Sequence, residues 1–436
     1  MTSLDGAARS LGRVGRGMTL AARTVLPVDT NPVPADWTHV TKVDPENAKK
    51  LPLLYPVYLR HTSAVSVGGS ADVTARNTEE TFDLLAPASV PVFHEPSGPR
   101  HVTPRTRERA DLLAIPEVLN GDSESLVGQL GEGTEYIREE LVPELLGEKL
   151  PWLPARLADA LADVTTSWLL AEAVFEAYVI QNPDSAAARE ANVTESDLLS
   201  ASETKQRAMA AERHLESELV YLEYSGTYGG DEAAETLAAV SESLSWSRLW
   251  YGGGLDSRER ATAMLDAGAD AIVVGDAFHR VADEEADLCE RAAEDLEPGA
   301  SASAVREWVG ENVAIADSHA AAYLATIPSV SDPEGLARRY LTATVWTWLR
   351  LWELGRDGAD ERASAPNPSD TGDLRRALGP DAADDVESED AALVGRCLRA
   401  LLAEGTESDG DADPSASPST SEEIPVDHLS VSVSRQ

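Results

Sequence analysis

Between Leu219 and Arg280 three short β-type runs each end in a glycine-bearing turn, and an Ala-rich amphipathic segment separates each from the next. The runs are Leu219–Glu223, Arg248–Tyr251 and Ala271–Val274; the turns are Ser225-Gly226, Gly252-Gly253-Gly254 and Gly275-Asp276. Strand, turn and helix recurring in that order is the arithmetic of a parallel βα array. Glycines clustered just past consecutive strands let backbone N–H groups approach a ligand, usually an anionic one. In a (β/α)8 barrel the loops after the last strands commonly form a phosphate site at the C-terminal face. The stretch therefore predicts a barrel that holds a phosphate, although glycines serving only as turns would look the same in isolation.

Upstream, the same alternation recurs. Thr38–Val43 is rich in β-branched residues and stops at Asp44-Pro45; Ala64–Val67 ends in Gly68-Gly69-Ser70. Asn77, with Glu80 three residues on, reads as the N-cap of the next helix. Val90–Phe93 leads into His94-Glu95-Pro96-Ser97-Gly98-Pro99, and prolines at 96, 99 and 104 argue against a regular crossover helix before the fourth strand, Leu112–Ile115. That strand runs into Pro116-Glu117-Val118-Leu119-Asn120. Helical segments near 123–146 and 152–172 follow, then a fifth strand, Ala177–Gln181, ending in Asn182-Pro183-Asp184-Ser185. A helix near Ser202–Leu215 returns the chain to the opening stretch, and eight strands close a barrel by count.

A barrel takes about 250 residues, which leaves part of this 436-residue chain over. After about Ala282 the strands stop. Glu284–Asp295, Ala302–Thr326 and Pro333–Gly355 read as helices, the last with an apolar stripe of Leu341, Val345, Trp348, Leu349 and Trp352 expected to be core or barrel contact. Gly358–Asp390 reads as an acidic loop, Ala391–Ala403 as one more helix, and the rest as disordered. The fold class is α/β: a (β/α)8 TIM barrel over 37–282, with an appended all-α C-terminal region at 283–404, an N-terminal extension at 1–36 and an acidic tail at 405–436. In residues 1–36, Arg9, Arg13, Arg16 and Arg23 interleave with Leu11, Val14, Met18 and Leu20. The readings that stay open for them are a basic amphipathic helix on an anionic membrane surface, a disordered leader, or a start codon placed too early, with Met18 as the true start.

The formal net charge is −40, with 42 % hydrophobic residues, and five of the 36 basic residues are lysine. A folded, acidic, lysine-poor chain is expected of a halophile's cytoplasmic protein. No basic patch is available to neutralise nucleic-acid phosphates, so nucleic acid is not an expected partner. Two cysteines, Cys289 and Cys397, and eight scattered histidines offer neither a disulfide framework nor a zinc site. No apolar run reaches the roughly 18 residues of a membrane span.

Barrel sites lie at the C-terminal strand ends. Lys42 and Asp44 alternate at the end of strand one and point the same way; Ser70 follows two glycines after strand two; Glu223, Tyr224 and Ser225 close strand six; Gly275 and Asp276 close strand eight. One acid, a hydroxyl and several backbone donors suit a Mg²⁺ that keeps waters and binds a substrate phosphate.

Lys42-Val43-Asp44-Pro45, Gly68-Gly69-Ser70, Pro116-Glu117-Val118-Leu119-Asn120, Asn182-Pro183-Asp184-Ser185, Tyr221-Leu222-Glu223-Tyr224-Ser225-Gly226, Tyr251-Gly252-Gly253-Gly254 and Val273-Val274-Gly275-Asp276 keep the order of a known family. Over Trp37–Arg280 the chain resembles geranylgeranylglyceryl phosphate synthase and its relative, heptaprenylglyceryl phosphate synthase. The resemblance implies a modified (β/α)8 barrel with an irregular third helix. It also implies prenyl transfer from a polyprenyl diphosphate to the C3 hydroxyl of sn-glycerol 1-phosphate, with Mg²⁺ as cofactor, in archaeal ether-lipid synthesis. By resemblance, Lys42, Tyr221, Leu222, Glu223, Tyr224, Ser225, Gly226, Gly254, Gly275 and Asp276 hold the glycerol phosphate, and Asp44 and Ser70 lie at the metal and the prenyl diphosphate. Glu223 is the candidate to orient or deprotonate the attacking hydroxyl. A homo-oligomer and a peripheral membrane contact are further expectations. The family often reads Asp-Pro-Asp-Lys after strand one, where this chain has Asp44-Pro45-Glu46-Asn47. Two rivals remain: another phosphate-binding barrel enzyme, and a divergent paralogue that binds prenyl or glycerol phosphates without turnover.

Overall fold

The computed structural model describes residues 29–356, apart from 47, 48, 70–72, 87, 150, 151, 153, 154 and 298. The expectations for residues 1–28, for 357–436 and for Ser70 lie outside the described residues. Eight parallel strands pair in the order β3-β2-β1-β8-β7-β6-β5-β4: β1 (His39–Val43), β2 (Ala64–Val67), β3 (Val92–His94), β4 (Ala114–Val118), β5 (Val174–Ile180), β6 (Leu219–Glu223), β7 (Arg248–Gly252) and β8 (Ala271–Val274). A parallel bridge from His94 to Leu113 joins β3 to β4 and closes the (β/α)8 barrel. Helices α1 (Tyr55–Leu59), α2 (Ala75–Leu85), α3 (Pro104–Arg109), α4 (Gln129–Tyr136), α5 (Val142–Lys149), α6 (Ala155–Glu172), α7 (Ala186–Glu190), α8 (Ala201–Ala210), α9 (Gly230–Ser241) and α10 (Arg258–Asp266) lie in the crossovers. After β8 come α11 (Asp276–Asp295), α12 (Ala302–Asn312), α13 (His319–Thr326) and α14 (Pro333–Arg356).

Strands β2, β6 and β8 have the expected bounds; the others differ for local reasons. Pro116 lies inside β4 instead of ending it. Leu119 N–H donates to Tyr178 O of β5, so by alternation the nitrogen of Pro116 faces the β3 side, where the ladder has stopped and no donor is needed. β5 begins three residues earlier than expected, at Val174, and takes in Glu176. The cap of α2 is Thr74, whose side chain accepts from Asn77 N–H at 3.1 Å, so Asn77 sits inside the first turn instead of capping it. The proline-rich crossover after β3 is a 3-10 turn, Pro99–His101, followed by the six-residue α3. Pro104 opens α3, where a missing N–H costs nothing.

Alternation along each strand divides the barrel into an inner and an outer face. The lower interior is apolar: the rings of Trp37, Phe93 and Trp250 meet with centroids 5.8–6.3 Å apart. Above them the inward residues are Lys42, Ser66, Glu176, Tyr178, Tyr221 and Glu223, so the core becomes polar toward the strands' C-terminal ends.

The helices after β8 share the barrel's outer core. α11 runs unbroken through residues 282 and 283, where the sequence places a domain boundary, and packs on α13 and α14. The expected Ala302–Thr326 helix is two, α12 and α13, with a 3-10 turn at Ile315–Asp317 between them. Leu341, Val345 and Leu349 of the apolar stripe are buried and Trp348 partly so, while the side chain of Trp352 lies outside the described residues. Outward from β1 point two polar residues, and the region after β8 satisfies both. Tyr323 and Thr41 share a hydroxyl hydrogen bond of 2.8 Å, and His39 Nε2 lies 3.0 Å from Thr326 Oγ1. Burial pushes His39 down to about 3, so its ring is neutral. Glu285 of α11, fully buried, accepts from Leu53 N–H (2.7 Å), Tyr58 Oη (3.1 Å) and Thr344 Oγ1 of α14 (2.9 Å).

Tyr323→Phe, which leaves the buried Thr41 hydroxyl short of a partner, is expected to cost about 1–2 kcal/mol in denaturant unfolding. Burial raises Glu285 from 4.5 to about 7, against the opposing hydrogen bonds from Leu53, Thr344 and Tyr58. A folded value above the unfolded one means the native state binds the extra proton, so stability falls as pH rises between those two values and levels off above them. Glu285→Gln should flatten this part of the stability–pH curve, by an amount on the order of 1–3 kcal/mol, measured by unfolding at fixed salt across pH 4.5–8.

Candidate active site

Glu95, the first residue after β3, is 8 % exposed and stands at the centre of the polar interior. Its Oε1 accepts from Lys42 Nζ of β1 at 2.7 Å and from Tyr178 Oη of β5 at 2.5 Å, and its Oε2 from Ser66 Oγ of β2 at 2.8 Å. Beside it, the Tyr178 and Tyr221 rings meet edge to face with centroids 4.6 Å apart. Tyr178 pairs with Tyr221 and Ile180 with Glu223 in the β5–β6 register, so Glu223 lies one inward layer nearer the mouth.

The electrostatics follow from burial against one ammonium. Burial alone would lower Lys42, but the charges of Glu95, Glu223 and Asp44 outweigh it, and the group stays protonated above its ordinary range. Burial raises Glu223 above the usual glutamate range; Lys42 and hydrogen bonds from Tyr221 and Ser225 pull it back, and Glu95 adds to the rise. Glu176, buried beneath, is raised far more by burial and by Glu95, with Lys42 opposing. Among the described residues its Oε2 has no hydrogen-bond partner.

These side chains open into a cavity of about 420 Å³. Lys42, Asp44, Tyr221, Glu223, Ser225, Gly226, Gly254, Gly275 and Asp276 of the expected site all line it. Leu222 and Tyr224 do not: alternation turns their side chains outward into the core under the helices, a correction to the expectation that the whole 221–226 segment faces the ligand. Glu95, Glu176 and Tyr178 were missed. The signal for the β5 pair was present, because Glu176 and Tyr178 alternate on β5 as Tyr221 and Glu223 do on β6.

Around the rim the walls differ. Gly252 faces the interior, where a Cβ would stand 1.9 Å from the Tyr221 hydroxyl, and Gly253 adopts φ +147°, which side chains rarely allow. Gly275 precedes α11 with no side-chain cap, so the helix presents free first-turn N–H groups at the rim beside Gly254. On the opposite wall Leu113, Ile115, Val118, Leu130, Ile137 and Leu170 make an apolar surface. A second cavity of about 380 Å³ shares Asp44, Glu46 and Asp276 with the first and adds Lys50, His279, Arg280 and Asp283. His279 Nδ1 lies 3.7 Å from Asp44 Oδ2. Asp44 and Glu46 offer hard oxygen donors, but no group of three metal-ligating side chains gathers among the described residues. A cation here would need a ligand's oxygens to complete its shell.

The PcrB family model matches residues 34–293. The chain belongs to the PcrB family. It is an enzyme of the prenyltransferase class. Among similar proteins, the geranylgeranylglyceryl phosphate synthase of Halobacterium salinarum is 34 % identical over 248 residues, covering 56 % of this chain and 89 % of its own. The heptaprenylglyceryl phosphate synthase of Listeria welshimeri is 31 % identical over 247 residues, covering 55 % and 91 %. The crystal structure of (S)-3-O-geranylgeranylglyceryl phosphate synthase from Thermoplasma acidophilum, in complex with sn-glycerol-1-phosphate, matches 56 % of this chain and 86 % of its own at 22 % identity, with a TM-score of 0.40. The PcrB match stops inside α11, so α12–α14 lie beyond it.

Gly252→Ala is expected to cost about 1–3 kcal/mol through overpacking against Tyr221. Tyr221→Phe in the same chain should recover part of that cost, because it removes the nearest clashing atom. A double-mutant cycle by denaturant unfolding reads this as a favourable coupling.

Proposed function

We propose that this member of the PcrB family transfers a polyprenyl group, geranylgeranyl being the first candidate, from its diphosphate to the C3 hydroxyl of sn-glycerol 1-phosphate. The observation that carries the reading is the composition of one cavity: an uncapped helix start and glycine turns on one wall, an apolar surface on the other, and a buried carboxylate between them. The phosphate binds at Gly254 and Gly275, where backbone N–H groups and the start of α11 favour an anion. The prenyl chain lies along Ile115, Leu130, Ile137 and Leu170. The diphosphate occupies the second cavity, where Lys50 and Arg280 carry positive charge and a cation at Asp44 and Glu46 would offset the acids of the same lining.

Glu223 is the general base. Its raised proton affinity makes it a better acceptor than an exposed glutamate, while the charge of Lys42 favours its ionised form. The C3 oxygen forms its bond to prenyl C1 as the bond from C1 to the diphosphate oxygen breaks; the electron pair leaves with diphosphate and the hydroxyl proton passes to Glu223. The apolar wall keeps water from competing for the allylic carbon. Asp44 and Glu46, together with the diphosphate oxygens, would hold Mg²⁺, whose charge supports departure of the leaving group.

The test is a high-salt assay with radiolabelled glycerol 1-phosphate and prenyl diphosphates of several lengths. Labelled product in the organic phase is expected with at least one donor, lost with EDTA and restored by Mg²⁺. No product with any donor would favour the non-catalytic paralogue. Glu223→Gln should lower kcat by about 100-fold or more, with glycerol phosphate affinity retained. Full turnover in that variant would remove Glu223 from the base role.

A further inference from the structure

Glu95 takes no part in the proton transfer assigned to Glu223, yet its carboxylate is fixed from three strands. Lys42, Ser66 and Tyr178 all donate to it, and its own N–H donates to Val67 O at 2.9 Å. Its backbone also lies against Gly68, where a Cβ would come within 2.5 Å of Glu95 O. These bonds hold the carboxylate in place at the cavity wall. Lys42 is the one basic residue among the described residues lining the main cavity, and Glu95 is its ion-pair partner. Glu223 makes no ion pair among the described residues, although Lys42 acts on it through space.

We propose that Glu95 is a positioning residue for the prenyl transfer: it holds the Lys42 ammonium as its own partner and so leaves Glu223 the carboxylate that accepts the substrate's proton. The inference rests on the function given above. Without the Glu95 charge, Lys42 would turn to Glu223 and stabilise its ionised form, making it a weaker base.

Glu95→Gln keeps a carbonyl acceptor for Lys42 and Tyr178 and removes only the charge. In the full-length chain, kcat is expected to fall about tenfold. KM for glycerol 1-phosphate should stay within about twofold or fall, since one negative charge beside an anion is gone. The acid limb of the kcat profile should move down by about one pH unit. The other titratable groups coupled to Glu223 through space are Lys42 on β1, Glu176 and Tyr178 on β5, Tyr221 on β6 and, from the outer face, Tyr251 on β7. All are retained in the variant. Ser66→Ala, which removes one hydrogen bond and keeps the charge, should leave the limb at its wild-type position.

Wild-type kcat with an unmoved limb in Glu95→Gln overturns the proposal, as does a raised KM at wild-type kcat, which would make Glu95 a substrate ligand. If Glu95→Gln does not fold by thermal melting, Glu95→Asp replaces it. The shorter acid loosens its hold on Lys42 and should move the limb the same way by less; an unmoved limb overturns the proposal. A wild-type chain without product overturns the function itself, whereas an active wild type with an unchanged Glu95→Gln overturns this inference alone.

Discussion

The ammonium of Lys42 is the charge on which the barrel's polar interior depends. Three glutamates, Glu95, Glu176 and Glu223, are buried around it, and burying a carboxylate without a counter-charge costs several kcal/mol. The chain meets that cost in three ways. Glu95 takes a direct ion pair, Glu223 shares the field of Lys42 and accepts from neighbouring hydroxyls, and burial with the nearby Glu95 raises the proton affinity of Glu176. A buried ion pair of this kind is weak evidence for stability, because an apolar filling of the same volume often does as well. Its presence above a lower interior filled by Trp37, Phe93 and Trp250 therefore points to chemistry at the mouth, with the apolar layer carrying the fold.

Lys42 in turn depends on β1, a strand that is polar on both faces. Inward it carries Lys42; outward, His39 and Thr41, which find partners in Thr62, Thr326 and Tyr323. Two of those three partners belong to α13, beyond the residues the PcrB family match covers. The short α1 leaves this side of the barrel thinly covered, and α11, α13 and α14 fill it through Glu285, Tyr323 and Tyr340, all of which meet Tyr58 of α1. The helices after β8 are therefore part of the barrel's wall. They meet β1 on the face opposite the site, where they hold the strand without obstructing a ligand.

The barrel was legible because eight apolar runs end in turn residues, a pattern that depends only on backbone requirements. Bounds were recovered where the run is uninterrupted, as in β2, β6 and β8, and missed where one residue breaks the pattern. Pro116 is tolerated because its nitrogen faces a seam with no ladder, a fact of pairing that no local rule contains. Glu176 hid the start of β5 because a charged residue at an inward position reads as solvent-facing. Glu95 was harder still. It is one of 76 acids, in a proline-rich loop, and its burial comes from donors 53 residues before and 83 residues after it. The site residues that were found came from ordered motifs shared with a family. The partner that organises them came only from three dimensions.

The acidity of the chain bears on this arrangement. A formal charge of −40 repels any phosphate approaching through dilute buffer, and the one lysine lining the main cavity already has a carboxylate beside it. In the proposed function, the phosphate is therefore held at the Gly254–Gly275 wall by main-chain donors more than by side-chain charge. Backbone N–H groups and a helix start act at contact distance and carry no counter-ion to be displaced. At 1 M salt the Debye length is about 3 Å, so the repulsive field of the surface is screened while hydrogen bonds at the wall are not. An anion site built from main-chain donors works best where salt removes the far field of an acidic surface. The same screening reaches the Lys42–Glu95 pair less, because its side chains are only 21 % and 8 % exposed.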